Sequence, residues 1–301
     1  MTTQIFENPD HSLLCSDKDL AYQKMLLSFH VDSQVDLVKK QINFVLGQGP
    51  GFLDGRQTTY ESLFESADKQ AQIELFLNND PEAVRRWMYL SVRSFEIGTE
   101  AELGGLHELD FSRDRICVSQ PLFNLILCDH IGIQQRFAAV IDHIADAKAT
   151  PFDWIGINWH MTYNMLIMLE GRQLELLKER AELFLNNMPT DAKRFEPDYE
   201  FALGYALKNP ELMRRALAPL LKPSKARAAA KDTVYEYNFA LQPKLLCYLK
   251  LASRAGFDLG IETDMAPAAL SQFSALSDDD YRQFEASILG KHIGKTKKTV
   301  S

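Results

Sequence analysis

Apolar residues recur three or four positions apart along most of the chain, which is the spacing of one face of an α-helix. The pattern predicts helices over residues 20–46 (as one helix or two), Thr58 or Thr59 to Asn79, Pro81 to about Ile97, Gln120–His130, Gln134–Lys148, Pro151–Glu170, Gln173–Asn187, Pro197–Leu207, Pro210–Leu221, Asn238–Ala255 and Asp278–Leu289. Two runs resemble strands, Arg115–Val118 and Thr233–Tyr237, but they are too isolated to form a sheet. We therefore expect an all-α fold of packed antiparallel helical hairpins.

Two short sequence patterns occur twice. Asp80–Glu82 and Asn209–Glu211 each place a side-chain acceptor before a proline and a glutamate, which favours the cap and first turn of a helix. The sequence Leu-Phe-Leu-Asn-Asn ends a predicted helix at Leu75–Asn79 and again at Leu183–Asn187. No fixed period links the copies, so the chain is repeat-like in places and a regular solenoid is not predicted.

The domain organisation follows from composition. The chain has 301 residues, of which 46% are apolar, and no proline- or serine-rich linker divides it. A chain of this size and composition can build a large core without disulfides or a metal. We expect one compact domain over residues 1–290, and a basic, disordered tail over residues 291–301.

Negative charge is concentrated in the first third of the chain. The total of 33 basic and 41 acidic residues gives a net charge of −8, and residues 1–112 hold 18 acidic and 9 basic residues, a net −9. Phosphate binding requires a basic surface, so this distribution argues against a nucleic-acid partner. A protein partner with a basic surface matches it better.

Cysteine spacing and hydropathy bear on location. Cys15, Cys117, Cys128 and Cys247 are far apart, which is typical of neither a disulfide framework nor a thiolate zinc site, and we expect buried thiols. The first ten residues lack the features of a signal peptide. The longest uncharged run, residues 154–169, is too short and too polar to span a bilayer. These features predict a cytoplasmic protein without a membrane partner.

Motifs of catalysis and nucleotide binding are missing from the sequence. It contains neither Gly-x-Ser-x-Gly nor His-Glu-x-x-His. Residues 290–296 resemble a phosphate loop, but their two glycines are too close together for that motif and no helix follows. His160 and Asn164 are one turn apart on an apolar helix, where a hydrogen-bonded core pair is favoured over a catalytic pair. We predict a protein that is not an enzyme and needs no cofactor.

The sequence contains one weak candidate for a metal-binding site. Asp142 and Asp146 share a helix face, while His143 points about 100° away from them. A solvated helix face is therefore favoured over a metal site. Asp129 and His130 could join these residues in space, and the sequence alone leaves that open.

A run of carboxylates is the most informative local feature. Between Arg93 and Arg113, with no Lys or Arg among them, lie Glu96, Glu100, Glu102, Glu108 and Asp110. Glycines in the same stretch predict an exposed connection of concentrated negative potential. Such a connection suits a basic protein surface, which it would attract by steering and charge pairing. A merely solvated acidic loop is the alternative.

The part of the chain from Thr150 to Leu270 resembles the immunity protein 49 family, helical antidotes encoded beside secreted bacterial toxins. The resemblance rests on the order of several segments, which include Leu245–Ala252 before a Gly-Phe turn and Pro267 after it. The positions that carry it best are Asp153, Trp154, Asp198, Tyr199, Gly256 and Phe257. We interpret these six as structural residues, namely caps, core aromatics and a helix-ending glycine.

The resemblance implies an immunity protein that binds and neutralises a cognate bacterial toxin by non-covalent occlusion. Toxins of such systems are often nucleases with basic clefts, which would match an acidic antidote. Residues 1–290 would then form an immunity-type domain whose acidic third, residues 1–112, carries the contact. Two alternatives stay open: a helical-repeat scaffold or adaptor that binds peptides or proteins, and a metal-dependent hydrolase on a helical bundle.

Overall fold

The computed structural model describes residues 66–101, 119–136, 154–231 and 241–289, together with positions 21, 22, 24, 25 and 28. The helices in the four longer ranges are α1 (residues 66–73), α2 (Pro81–Ala101), α3 (Ser119–Leu127), α4 (residues 131–136), α5 (Trp154–Glu170), α6 (Leu174–Asn187), α7 (Glu196–Ala206), α8 (Pro210–Leu217), α9 (Pro223–Lys231), α10 (Pro243–Arg254), α11 (Ala268–Ser271) and α12 (Asp278–Leu289). None of these ranges contains a strand, and the predicted all-α class is confirmed.

Within the four longer described ranges, three short helical turns supplement the α-helices. A π-helical turn, Glu74–Asn78, ends α1, and Asn79 follows it with a left-handed φ of 55°. Thr190–Phe195 forms a 3-10 turn before α7, and Ala218–Leu221 forms another after α8. The sequence pattern correctly predicted that the helix formed by α1 and its π-helical turn ends near Asn79.

The two predicted helix starts have the expected caps. Asp80 Oδ1 accepts hydrogen bonds from the backbone N–H groups of Glu82 and Ala83, each 3.0 Å long. Asn209 Oδ1 accepts one from the N–H of Leu212, 3.1 Å long. Each cap satisfies first-turn donors that have no partner inside the helix, and the proline that follows has no donor to satisfy.

Helix α10 begins later than the sequence pattern suggested. It was predicted from Asn238, but Gln242 is extended and α10 starts at Pro243. A residue before proline disfavours the helical conformation, and the Gln242 side chain accepts a 2.7 Å hydrogen bond from the N–H of Leu245. Because the apolar spacing continues across this boundary, the predicted helix began too early.

The predicted ends of two other helices were also wrong. Helix α2 runs past Ile97 to Ala101, because a glycine such as Gly98 costs only about 1 kcal/mol inside a helix. Helix α3 ends at Leu127 and does not reach His130, since Asp129 takes a left-handed φ of 57°. Helix α9, Pro223–Lys231, was not predicted at all.

Several predictions lie outside the described residues. They are most of the helix or helices over residues 20–46, the part of Gln134–Lys148 after residue 136, the strand-like runs Arg115–Val118 and Thr233–Tyr237, and the tail 291–301.

Successive helices pack against one another in the second half of the chain. Helix α7 contacts both α6 and α8, and α5 packs against α6 and α7. The α7–α8 contact is close at Gly204, where an added Cβ would lie 2.9 Å from the backbone nitrogen of Met213. Helix α3 joins this group to the rest, because it contacts α2, α5 and α10, while α12 packs on α2.

Two of the four cysteines lie in the described ranges. Cys128 and Cys247 are both free and buried, as predicted. Burial raises the pKa of the Cys128 thiol to about 12 and raises that of Cys247 as well. Both thiols are therefore protonated and unreactive at neutral pH. Within the same ranges, every helix is too short or too polar to traverse a lipid bilayer.

Candidate functional site

Asp198 lies in the first turn of α7 and is only 6% exposed. Its Oδ1 accepts a 2.6 Å hydrogen bond from the Tyr248 hydroxyl, and its Oδ2 lies 3.1 Å from Lys244 Nζ. Both partners belong to α10, so this carboxylate joins α7 to α10. Burial, reinforced by the neighbouring carboxylate, raises the pKa of Tyr248 well above its usual value. Asp198, which the sequence analysis grouped with caps and core residues, is thus a buried ion-pair partner of α10, and no side-chain cap bond is formed at the start of α7.

Tyr199, the next residue, is fully buried and contacts α5 and α6. Its ring stacks on Phe184 of α6 with centroids 3.7 Å apart. Its hydroxyl lies 2.9 Å from Nδ1 of His160 on α5. Burial raises the pKa of Tyr199, and burial together with nearby Arg180 lowers that of His160 to about 3. Both side chains are therefore neutral at physiological pH, and the pair joins three helices.

Arg180 of α6 completes this polar contact between helices. Its Nε donates a 2.8 Å hydrogen bond to Asn164 Oδ1, and a terminal nitrogen donates one of 3.1 Å to the His160 carbonyl. Its guanidinium also lies 4.9 Å from the centroid of the Tyr163 ring. The sequence predicted a bond between His160 and Asn164. Both residues are instead bonded to Arg180, because α6 packs against α5 and brings a buried cation to them.

Gly256 and Phe257 form the turn that ends α10. Gly256 has a φ of 83°, and the N–H of Phe257 donates a 2.9 Å hydrogen bond to the carbonyl of Ala252. This is the Schellman arrangement, which favours glycine at the left-handed position. Phe257 then packs edge-on against Tyr205, with ring centroids 6.3 Å apart. Of the remaining family-like residues, Asp153 is outside the described ranges, and only the backbone of Trp154 is described.

Asp129 lies at the centre of a second buried cluster. It is 0% exposed, and its Oδ2 accepts from Arg85 Nε at 3.1 Å, from Lys250 Nζ at 2.5 Å and from the N–H of Ser274 at 3.2 Å. Lys250 also donates to the carbonyl of Gln272 at 2.7 Å. The cluster therefore connects α2, the end of α3, α10 and the segment before α12.

The charged side chains of this cluster pair with one another inside the protein, and they are not arranged for metal binding. Burial lowers the pKa of Lys250 to about 8, although Asp129 opposes the shift. His130 stacks on Tyr89, and its Nδ1 accepts a 3.0 Å hydrogen bond from the N–H of Ile133, where it caps α4. Among the described residues no three His, Cys, Asp or Glu side chains are grouped to hold a metal. The proposed partners of Asp129 and His130, which are Asp142, His143 and Asp146, lie outside the described ranges.

The structure describes only part of the carboxylate run. Glu96 and Glu100 lie on the last turns of α2, whose side chains are not described beyond Ser94. Glu102, Glu108 and Asp110 are outside the described ranges. Glu96 lies within the helix predicted to about Ile97, whereas Glu100, expected in the connection after it, also lies on α2 because the helix continues to Ala101.

Sequence reasoning missed the buried cations Arg85, Arg180, Lys244 and Lys250. Lys244 and Lys250 could have been noticed, since both occur within the otherwise uncharged and mostly apolar stretch Leu241–Ala252. A charged residue in such a stretch is rarely buried unless it is paired. Their partners could not have been named, because Asp198 is 46 residues away from Lys244 and Asp129 is 121 residues away from Lys250.

The fold and these contacts define an all-α protein whose buried charges hold helices together. A sequence model of the immunity protein 49 family matches residues 161–270, which include Asp198, Tyr199, Gly256 and Phe257. The match confirms the resemblance over this segment, and the family that it names is one of immunity proteins, whose partners are toxins. No curated protein and no solved structure matches the chain.

Proposed function

We propose that this protein binds one cognate bacterial toxin and neutralises it by non-covalent occlusion. The observation that carries the proposal is the family match over residues 161–270, from within α5 to α11. The toxin in this proposal is a secreted effector with a basic surface, such as a nuclease with a cleft for a phosphate backbone. The antidote acts in the cytoplasm without a cofactor, and it binds neither nucleic acid nor membrane.

The chemistry of the described residues supports a binding role. Asp129, Asp198 and His160 are the buried ionisable groups that could most readily be mistaken for catalytic residues. Each makes contacts within the protein at 2.5–3.2 Å, and Asp129 makes all of its described contacts through Oδ2, while its buried Oδ1 has no hydrogen-bond partner among the described residues. A group held in this way cannot contact a substrate without opening the core, whereas occlusion of a toxin needs only a stable surface.

Charge supports the choice of a basic partner. Residues 1–112 carry a net −9, while the rest of the chain carries +1. In this proposal the toxin contacts include Glu96, Glu100, Glu102, Glu108 and Asp110. Opposite charges would speed the encounter, since electrostatic steering raises association rates above those of neutral surfaces.

One domain over residues 1–290 is part of the same proposal. It is supported by the Asp129 cluster, which joins α2 and α3 to α10 and to Ser274, beyond the family match. An antidote limited to residues 161–270 would leave Lys250 without its carboxylate partner.

Co-expression tests the proposal directly. The toxin encoded by the neighbouring gene is induced in a bacterial host with or without this protein, and survival is counted. We expect the full-length protein to restore growth and a charge-matched, unrelated immunity protein to give no protection. Continued killing in the presence of abundant, correctly folded protein would contradict the proposal.

A further inference from the structure

Helix α6 has one face that the described part of the chain leaves largely exposed. Its buried side consists of Leu177, Arg180, Ala181 and Phe184, which pack into the core. At about 100° of rotation per residue, five side chains project from the opposite side within an arc of about 100°. These five form what we call the outer face of α6: Glu175, Glu179, Glu182, Leu183 and Asn186.

Leu183 is the apolar residue on this outer face. It is 46% exposed, whereas Leu177, six residues earlier on the buried side, is 0% exposed. A single exposed leucine on a protein surface is ordinary. Leu183 is notable because glutamates accompany it along the same helical stripe, and because it lies inside the segment that matches the immunity protein family.

The three glutamates on this face are not neutralised within the described part of the chain. No Lys or Arg described here forms an ion pair with Glu175, Glu179 or Glu182, and Lys178, the nearest cation along α6, also remains unpaired. Glu175 and Glu179 are four residues apart, and Glu182 is three residues further on. Like charges at these spacings destabilise a helix.

Two surface glutamates on the neighbouring helices are paired with arginines. Glu200 on α7 lies 3.8 Å from Arg215 on α8, and Glu211 on α8 lies 2.5 Å from Arg214. Glu200 of α7 and Glu211 of α8 thus each have a cation of the same chain nearby. Within the described part of the chain, the outer face of α6 keeps three glutamates without an ion pair beside an exposed leucine, so a basic partner would find uncompensated negative charge there.

We propose that the outer face of α6 is a docking surface for the cognate toxin. The complementary surface is a shallow apolar recess that accepts Leu183 and is ringed by Lys or Arg side chains that pair with the glutamates. An apolar anchor surrounded by charged residues is the usual anatomy of a protein interface. The inference rests on the proposed function and names a contact surface within the family-matching segment, separate from the N-terminal carboxylates.

The test uses the full-length protein and the purified toxin encoded by the neighbouring gene. Leu183→Asp removes the anchor, and the double variant Glu179→Lys/Glu182→Lys reverses the charge. We expect each to weaken toxin binding by at least about tenfold in a titration by calorimetry. The double variant should also slow association and reduce its dependence on salt. Circular dichroism and the melting temperature establish that each variant is folded.

Two matched controls make the result specific. Ile131 of α4 is as exposed as Leu183, at 45%, so Ile131→Asp is the control for the anchor. Glu262→Lys/Asp264→Lys, in the loop after α10, makes the same change in net charge. We expect both control variants to bind the toxin within about twofold of the wild type, since substitutions outside an interface are energetically close to neutral.

The outcomes separate this inference from the proposed function. If the wild-type protein fails to bind the toxin, both are overturned. If the wild type binds and the α6 variants bind equally well, the docking surface is wrong and the immunity role stands. Equal losses in the α6 variants and in the controls would also overturn it, because the effect would then be one of overall charge. So would a change in oligomeric state caused by Leu183→Asp without any loss of toxin binding, which would assign the face to self-association.

Discussion

Lys250 Nζ lies 2.5 Å from Asp129 Oδ2, and the two side chains are 2% and 0% exposed. Arg85 approaches the same oxygen, so two buried cations share one carboxylate. A buried charge that loses its partner is strongly destabilising, whereas an exposed pair contributes little. The pair also connects the family-matching segment to residues outside it. We expect this contact to control the stability of the whole described fold.

Substitutions at this contact should follow a definite order. Asp129→Asn leaves both Arg85 and Lys250 without a carboxylate and should lower the free energy of unfolding by about 3–5 kcal/mol. Lys250→Met should cost less, because Arg85 still compensates Asp129. Glu211→Gln, which removes the exposed partner of Arg214, should cost less than about 1 kcal/mol. Urea unfolding of the three variants measures the order, and a larger loss for Lys250→Met than for Asp129→Asn would refute it.

Two glycines should resist substitution for different reasons. Gly256 has a φ of 83° and nothing within 4 Å of an added Cβ, so Gly256→Ala should cost about 1–2 kcal/mol through backbone strain alone. Gly204 has no unusual φ, but a Cβ there would lie 2.9 Å from the backbone of Met213. Gly204→Ala should therefore separate α7 from α8 and cost more, typically about 1–3 kcal/mol. Thermal unfolding distinguishes the two, and a neutral Gly204→Ala would contradict the close packing of these helices.

Stability should fall in acid through His160. Burial, together with Arg180, lowers its pKa from 6.5 in the unfolded chain to about 3 in the folded protein. Between these pH values the unfolded chain binds a proton that the folded protein excludes. The free energy of unfolding should therefore decrease by about 1.4 kcal/mol for each unit that the pH falls below about 6.5, from this group alone.

Comparison with His160→Gln isolates that contribution. The variant loses the contact with Tyr199 and should be less stable at neutral pH, but its stability should decline less steeply between about pH 6 and pH 4. Urea unfolding at several pH values gives the two slopes. Parallel declines for the variant and the wild type would show that His160 is not held neutral in the folded protein.

The N-terminal carboxylates should act on the rate of toxin association. Reversing Glu96, Glu100 and Glu102 to Lys should slow association by about tenfold at low salt and should flatten its salt dependence. The dissociation rate should change less, because steering acts before the complex forms. Stopped-flow mixing with the toxin measures both rates. Unchanged association at low salt would remove these residues from the interface.

Much of the fold could be predicted from the sequence, because helical periodicity and capping are local signals. Asp80 and Asn209 cap α2 and α8 as their side chains and the following prolines indicate. Helix α9 escaped prediction because Pro223–Lys231 is rich in alanine and basic residues and has no apolar stripe. The start of α10 was misplaced because apolar spacing continues across Gln242, where the cap and Pro243 decide the boundary.

The buried contacts could be predicted far less well. His160 was recognised as a core residue, but its neighbours Arg180 and Tyr199 come from other helices. Asp129 was considered as a metal ligand, although in the fold it faces two cations. Such partners depend on how helices pack, and the local sequence does not carry that information. The surface of α6 was overlooked for a related reason. Three glutamates near a leucine are a common pattern in a helix, and the sequence does not show whether the glutamates have ion-pair partners in the fold.

Titration of toxin activity shows whether the protein neutralises its partner. The purified toxin encoded by the neighbouring gene is assayed with increasing amounts of the full-length protein, and residual activity is plotted against the molar ratio. We predict that activity falls to background at a defined stoichiometry and that the protein is recovered unmodified, as expected for tight non-covalent occlusion. Full toxin activity in the presence of a large excess of folded protein would show that this protein does not neutralise the toxin.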